Sequence, residues 1–138
     1  MRLDDPRGDV ALGTSELRAL GDAIHELACG DVDMEHHFMR LLIDTNRTTL
    51  AALRDAVRHS SWDQMCSAAH KLAGSMRMLD CTNSLALLVQ FETMARQHQH
   101  DHVLAVLPAI IESVGNLESA LHSLLAGTEH TDYPVRRS

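Results

Sequence analysis

Aromatic residues are almost missing from this 138-residue chain, which holds one Trp, one Tyr and two Phe, 3% in all. Since 45% of residues are apolar, the core has to come from Leu, Ala, Met, Ile and Val. That composition favours helices packed on helices over a sandwich of aromatic and β-branched strands. Basic residues are also scarce. Twelve Lys and Arg against 19 Asp and Glu leave a formal net charge of −7, the wrong sign for a face that tracks a nucleic-acid backbone. No apolar run approaches the ~20 residues of a membrane span, and no signal-peptide pattern opens the chain. Cys29, Cys66 and Cys81 are odd in number, widely spaced and free of any CxxC pattern. They read as reduced, mostly buried residues of a cytoplasmic protein, not as a disulfide framework. A Gly-rich phosphate loop, HExxH and GxSxG are all lacking, which argues against ATP binding or hydrolysis in this chain.

What is present is helical periodicity. Residues 1–13 carry Pro, Gly and mixed charge and read as a flexible lead-in. Thr14 or Ser15 can cap a short first helix with Leu17, Leu20, Ile24 and Leu27 on one side, ended by Gly30. A second helix is predicted from near Asp33 to His59, with Met34, Phe38, Leu41, Leu42, Thr45, Thr49, Ala52, Leu53 and Ala56 along its inward face. Ser60 or Ser61 can cap a third, whose stripe is Met65, Ala69, Leu72, Met76 and Leu79. A fourth runs from about Thr82 to Arg96, and the polar "RQHQHDH" reads as an exposed connection. Asp101 can cap a fifth, with Leu107, Ile110, Ile111, Val114, Leu117, Leu121 and Leu124 inward. Pro108 predicts a kink or a later start there. Gly127 begins a polar stretch, so residues 14–126 read as one domain and 127–138 as a flexible tail. Four long amphipathic helices with short connections, plus a short leading helix, predict an all-α antiparallel four-helix bundle.

The third helix holds the residues that suggest chemistry. Unrolled at about 100° per residue around its core stripe, His70 falls at roughly 140° and Gly74 at roughly 180°. His70 is thus off the packing side, one turn from a residue without a side chain. An interior Gly loses about 1 kcal/mol against Ala, and a use for it here is the close approach of another protein's backbone. Ser67 and Asp63 lie nearby, and Arg77 is about 20° away, two turns on. A histidine that takes a phosphoryl group needs an accessible ring nitrogen, hydroxyls or cations for the phosphoryl oxygens, and an acceptor for its other nitrogen. Glu92 is the candidate acceptor. It shares an azimuth on the fourth helix with Leu85, Leu88 and Val89, and an inward carboxylate there requires a donor.

"AHKLAGSMRMLDCTNSLALLVQFE", residues 69–92, resembles the signature of histidine phosphotransfer (HPt) domains, approximately A-H-x-L-K-G-S, a spacer, then L-x-x-x-C-x-x-L-E. It is most similar to the HPt domains that end hybrid sensor kinases of the BvgS and EvgS type, and the resemblance spans about residues 30–126. It implies a phosphocarrier, not an enzyme, in a two-component phosphorelay. His70 would be the phosphoacceptor, Gly74 the small residue that keeps it accessible, Glu92 the imidazole's hydrogen-bond partner and Leu72 a core residue. Receiver domains of a hybrid kinase and of a response regulator would be the partners, and the receiver would supply Mg²⁺. A monomer in the cytoplasm, without nucleic-acid or membrane contact and with no cofactor or metal of its own, completes the expectation. Two positions depart from the pattern. The lysine commonly found three residues after the histidine is Ala73, and the spacer glycine ten residues after it is Asp80. Lys71 points about 100° away from His70 around the helix, so Arg77 is the better aligned cation.

Two other readings belong beside this one. A helical adaptor would bind a partner through the same face without chemistry. A metal-binding bundle would use His98, His100 and His102, with His36 and His37 as a second histidine cluster, although no carboxylate or cysteine is set at metal-site spacing among them. The seven Met read as flexible core filler.

Overall fold

The computed structural model describes residues 14–137, with side chains described for 15–127. The expected lead-in, residues 1–13, lies outside the described residues. Five helices follow in order: α1 Thr14–Leu27, α2 Val32–Arg58, α3 Trp62–Met78, α4 Thr82–Arg96 and α5 His100–Arg137. No strand occurs among the described residues. The chain is all-α, with a short helix leading four longer ones, as the composition predicts.

The first four helices end in the same way, and glycine is hardly used. Cys29, Ser60, Asp80 and His98 take left-handed φ values between 52° and 59°. Each is closed by a matched pair of backbone bonds. At the end of α3 the Cys81 amide donates to the Met76 carbonyl at 2.8 Å and the Asp80 amide to that of Arg77 at 3.3 Å. Asp80 therefore terminates the helix where the family pattern has glycine, at the conformational cost an L-residue bears in that region. Gly30 (φ 78°) follows Cys29 in the first turn instead of capping α1 by itself. α2 starts at Val32, and Asp31 caps it: its Oδ1 accepts the Met34 amide at 3.1 Å.

The chain divides into two compact units, one spanning Asp44–Val114 and the other taking the flanking chain through Ile43 and from Gly115. In the first unit the predicted stripe of α3 is buried at every position, and Ala68, Ala73 and Ser75 widen it. Leu88, Phe91 and Ala95 of α4, Val103, Ile110 and Val114 of α5, and Leu53, Ala56 and Val57 of α2 complete that core. α3 and α4 pack along each other, antiparallel because a three-residue turn joins them. In the second unit Leu20 and Ile24 of α1, Ala28 just after it, Met39, Leu42 and Ile43 of α2, and Leu117, Ala120, Leu121 and Leu125 of α5 are buried. His25 Nδ1 and Glu35 Oε2 pair there at 2.7 Å.

Several expectations are corrected. The inward face of α2 includes Asn46, and Met34, Leu41, Thr45 and Ala52 are exposed. Passing over a polar residue at an inward position shifted the predicted stripe around the helix. α5 starts at His100, so Pro108 does not delay it, and only Gln97–Gln99 remains of the polar connection. The backbone stays helical to Arg137 past Gly127, because one glycine weakens a helix without ending it. Contrary to the expected lack of a long apolar run, His100–Gly127 is long and apolar enough to cross a membrane by length and composition alone. Its side chains at Val103, Ile110 and Val114, and at Leu117 and Leu121, are core residues of the two units, while 28% of that apolar window as a whole is buried.

Candidate functional site

α3 has Asp63 in its first turn and Arg77 in its last, the charge order that suits the helix dipole. His70 stands at its middle on the outward side, with 73% of its side chain exposed. At Gly74, one turn on, an added Cβ would meet nothing within 4 Å. Nothing inside the protein therefore requires this glycine, and its helix penalty is left unexplained by the chain's own packing.

Glu92 reaches the same place from α4 with its side chain only 17% exposed. Its Oε1 lies 3.7 Å from His70 Nδ1, close enough to interact as charges and too far for a hydrogen bond. The other oxygen, Oε2, accepts from Arg96 Nη2 at 2.6 Å. The predicted His70–Glu92 hydrogen bond is thus an approach, and Arg96 is the partner that holds the carboxylate. Val89, expected on an inward stripe with Glu92, is 47% exposed. The buried line of α4 runs through Leu88, Phe91 and Ala95, so Glu92 sits at the edge of the core and not within it. Cys66, one turn before His70, places its Sγ 3.9 Å from the Glu92 carbonyl. Burial pushes the Cys66 thiol pKa up; Arg96 opposes this, and the charges of Glu92 and Asp63 add to it.

Ser67, Lys71 and Arg77 are exposed on α3, and among the described residues none is bonded to His70. The structure thus brings Gly74 and Glu92 to His70 and leaves those three as surroundings. Ala73 is 1% exposed. A lysine there would start from a buried Cβ.

Sequence reading missed Arg96, although its signal was present: it stands four residues after Glu92, the spacing at which an acid and a base share a helix face. Also missed was the bond from Ser75 Oγ to Asn46 Oδ1 at 2.9 Å, between α3 and α2. The histidine-rich connection has a structural use. His98 stacks on Trp62 with ring centroids 4.7 Å apart, and His100 meets the same indole edge-on. Among the described residues no three His, Cys, Asp or Glu are grouped to hold a metal ion. None of the three cysteines is in a disulfide, and Cys29 is exposed while Cys66 and Cys81 are half-buried, against the expectation of mostly buried thiols.

Residues 37–126 match the family model of the Hpt domain, which covers everything around His70 and leaves α1 outside. Neither a curated protein nor a solved structure matches the chain.

Proposed function

Because this chain belongs to the Hpt domain family, whose members carry phosphoryl groups on histidine within phosphorelays, we propose that His70 is its phosphoacceptor. It would accept from a receiver-domain aspartate and deliver to the aspartate of a response regulator. The observation that carries this reading is an exposed imidazole with open space at Gly74 and a carboxylate 3.7 Å from Nδ1. Glu92 faces Nδ1, so Nδ1 keeps its hydrogen and the Nε2 lone pair points outward as the nucleophile.

Transfer then needs no proton to leave. Nε2 forms a bond to phosphorus in line as the acyl-phosphate P–O bond breaks, and the electron pair departs with the receiver's carboxylate. The product is a phosphorylated imidazolium that still carries Nδ1–H, and the Glu92 carboxylate offsets its charge. In the delivery step the second aspartate attacks phosphorus and the N–P pair returns to Nε2. Arg96 holds Glu92 Oε2, leaving Oε1 to accept a hydrogen bond from Nδ1–H once the ring turns toward it. Magnesium belongs to the receiver in this reading, and the chain supplies a rigidly mounted nucleophile. A cytoplasmic module at the end of a BvgS- or EvgS-type hybrid kinase is the setting that the motif spacing favours.

Incubation with a phosphorylated receiver tests the assignment. Label should appear on the wild-type chain with the acid lability and base stability of a phosphohistidine. The His70→Gln protein should stay unlabelled with its melting transition intact. Label retained by His70→Gln would remove His70 from the role and favour a docking module without chemistry.

A further inference from the structure

Asn46 and Ser75 are polar residues enclosed in a mostly apolar core, at 4% and 8% exposure. Ser75 Oγ donates to Asn46 Oδ1, and their inward neighbours, Leu53 on α2, Leu72 and Met76 on α3 and Leu79 at its C-terminal end, are buried. Thr49, the third buried polar residue, donates its hydroxyl to the Thr45 carbonyl of its own helix. Two apolar residues of suitable shape could fill this place with little or no loss of stability. Stability alone does not account for the pair.

A directional bond adds orientation. Contacts among Leu, Met and Ala survive a small rotation of one helix against its neighbour, while an O–H···O bond lengthens and bends with it. Ser75 lies roughly 140° around α3 from His70, so a pin at Ser75 on the inner side fixes the bearing of the histidine on the outer side. Turning α3 by about 10° moves an atom about 6 Å from its axis by about 1 Å. Displacements of that size are what in-line transfer between two proteins tolerates least. Nothing on the outer side does this work: no hydrogen bond holds the His70 ring, and Glu92 only approaches it. We propose that the Asn46–Ser75 bond sets the rotation of α3 and so aims His70 at the incoming phosphoryl group. Both are positioning residues, and the inference rests on His70 being the phosphoacceptor.

Four proteins test it with a phosphorylated receiver as donor: wild type, Ser75→Ala, Ser75→Thr, and the double variant Asn46→Leu/Ser75→Ala. Melting temperature, maximal transfer rate, half-saturating receiver concentration and the ¹⁵N resonances of the His70 ring are measured for each. Ser75→Ala strands the Asn46 acceptor and should lower both melting temperature and rate. The double variant removes both polar groups and should regain melting temperature but not rate. Its maximal rate should stay about tenfold or more below wild type, with half-saturation unchanged and the ring resonances shifted. Ser75→Thr keeps the hydroxyl and should keep the rate. A double variant with wild-type rate and unmoved ring resonances overturns the proposal. If that variant does not fold, Ser75→Ala and Ser75→Thr decide the matter, and equal rates in the two overturn it. Failure of the wild-type chain to take label on His70 would instead overturn the phosphoacceptor reading, a result the wild-type arm reports separately.

Discussion

On its inward side α3 presents Met65, Ala69, Leu72 and Met76, none with accessible surface, and on its outward side Ser67, His70, Lys71 and Gly74. The inward residues are held by contacts on every flank. Of the outward four, only His70 has a partner that approaches, the Glu92 carboxylate, and Gly74 has room left around it. In the proposed reading stability and transfer chemistry lie on different sides of the same helix, and, the Asn46–Ser75 pair apart, substitutions on one side should leave the other's property nearly untouched.

The strongest way to break that separation is a pair of substitutions two residues apart. Leu72→Ala opens a cavity in a fully buried place and should cost about 2–5 kcal/mol, seen as a large fall in melting temperature by circular dichroism. His70→Gln should move stability by no more than about 0.5 kcal/mol while abolishing label uptake. A large loss of stability in His70→Gln would show that the outward side is part of the packing after all.

Gly74→Leu sharpens the comparison. The space at its Cβ is open and a poor helix former is removed, so stability should hold or rise by up to about 1 kcal/mol. In the proposed transfer the new side chain stands in the receiver's path, and transfer from a phosphorylated receiver should fall at least about tenfold, equivalent to about 1.4 kcal/mol in the barrier. An unchanged transfer rate would mean that the partner does not pass over Gly74.

Glu92 lies on the border between the two sides and should give a graded result. Glu92→Ala removes one charge-assisted interaction with the ring and should slow transfer by about tenfold. Stability should change little, because the Arg96 guanidinium it releases is already largely in water. Glu92→Gln keeps an acceptor oxygen and should be milder. Equal rates in all three proteins would assign the orientation of His70 to another group. The smallest effect is expected at Asp80→Gly, which relieves a left-handed residue at the end of α3 and should raise stability by a fraction of about 1 kcal/mol without altering transfer. A fall in melting temperature would show that the Asp80 side chain contributes more than its backbone strain costs.

How much of this was legible in the sequence follows the same division. The stripe of α3 was read correctly because five apolar residues at spacings of 4, 3, 4 and 3 leave one side of a helix and no other. His70 and Gly74 were placed outward by the same arithmetic, and open space at Gly74 agrees. α2 was read less well, since an inward asparagine looks like a surface residue until its partner on another helix is known, and Ser75 lies 29 positions away. The Glu92 contact failed for a related reason. Periodicity put the carboxylate near His70, but it does not say which of two nearby donors takes it, and Arg96 on the same helix had the shorter reach. Glycine as the expected helix stop also misled, because Cys29, Ser60, Asp80 and His98 adopt the left-handed conformation that the two-bond closing motif requires.

Trp62 is the only tryptophan in the chain, and it is stacked on His98 where the start of α3 meets the turn between α4 and α5. The chain's tryptophan fluorescence therefore has a single origin, two turns from His70 and in contact with a ring that can quench it. Unfolding, and the docking and phosphorylation proposed above, can be tested on the unlabelled protein with no second emitter of its kind to subtract. An event that shifts the start of α3 against the α4–α5 turn has to pass through that stack. One that leaves the emission unaltered has been absorbed elsewhere in the helices.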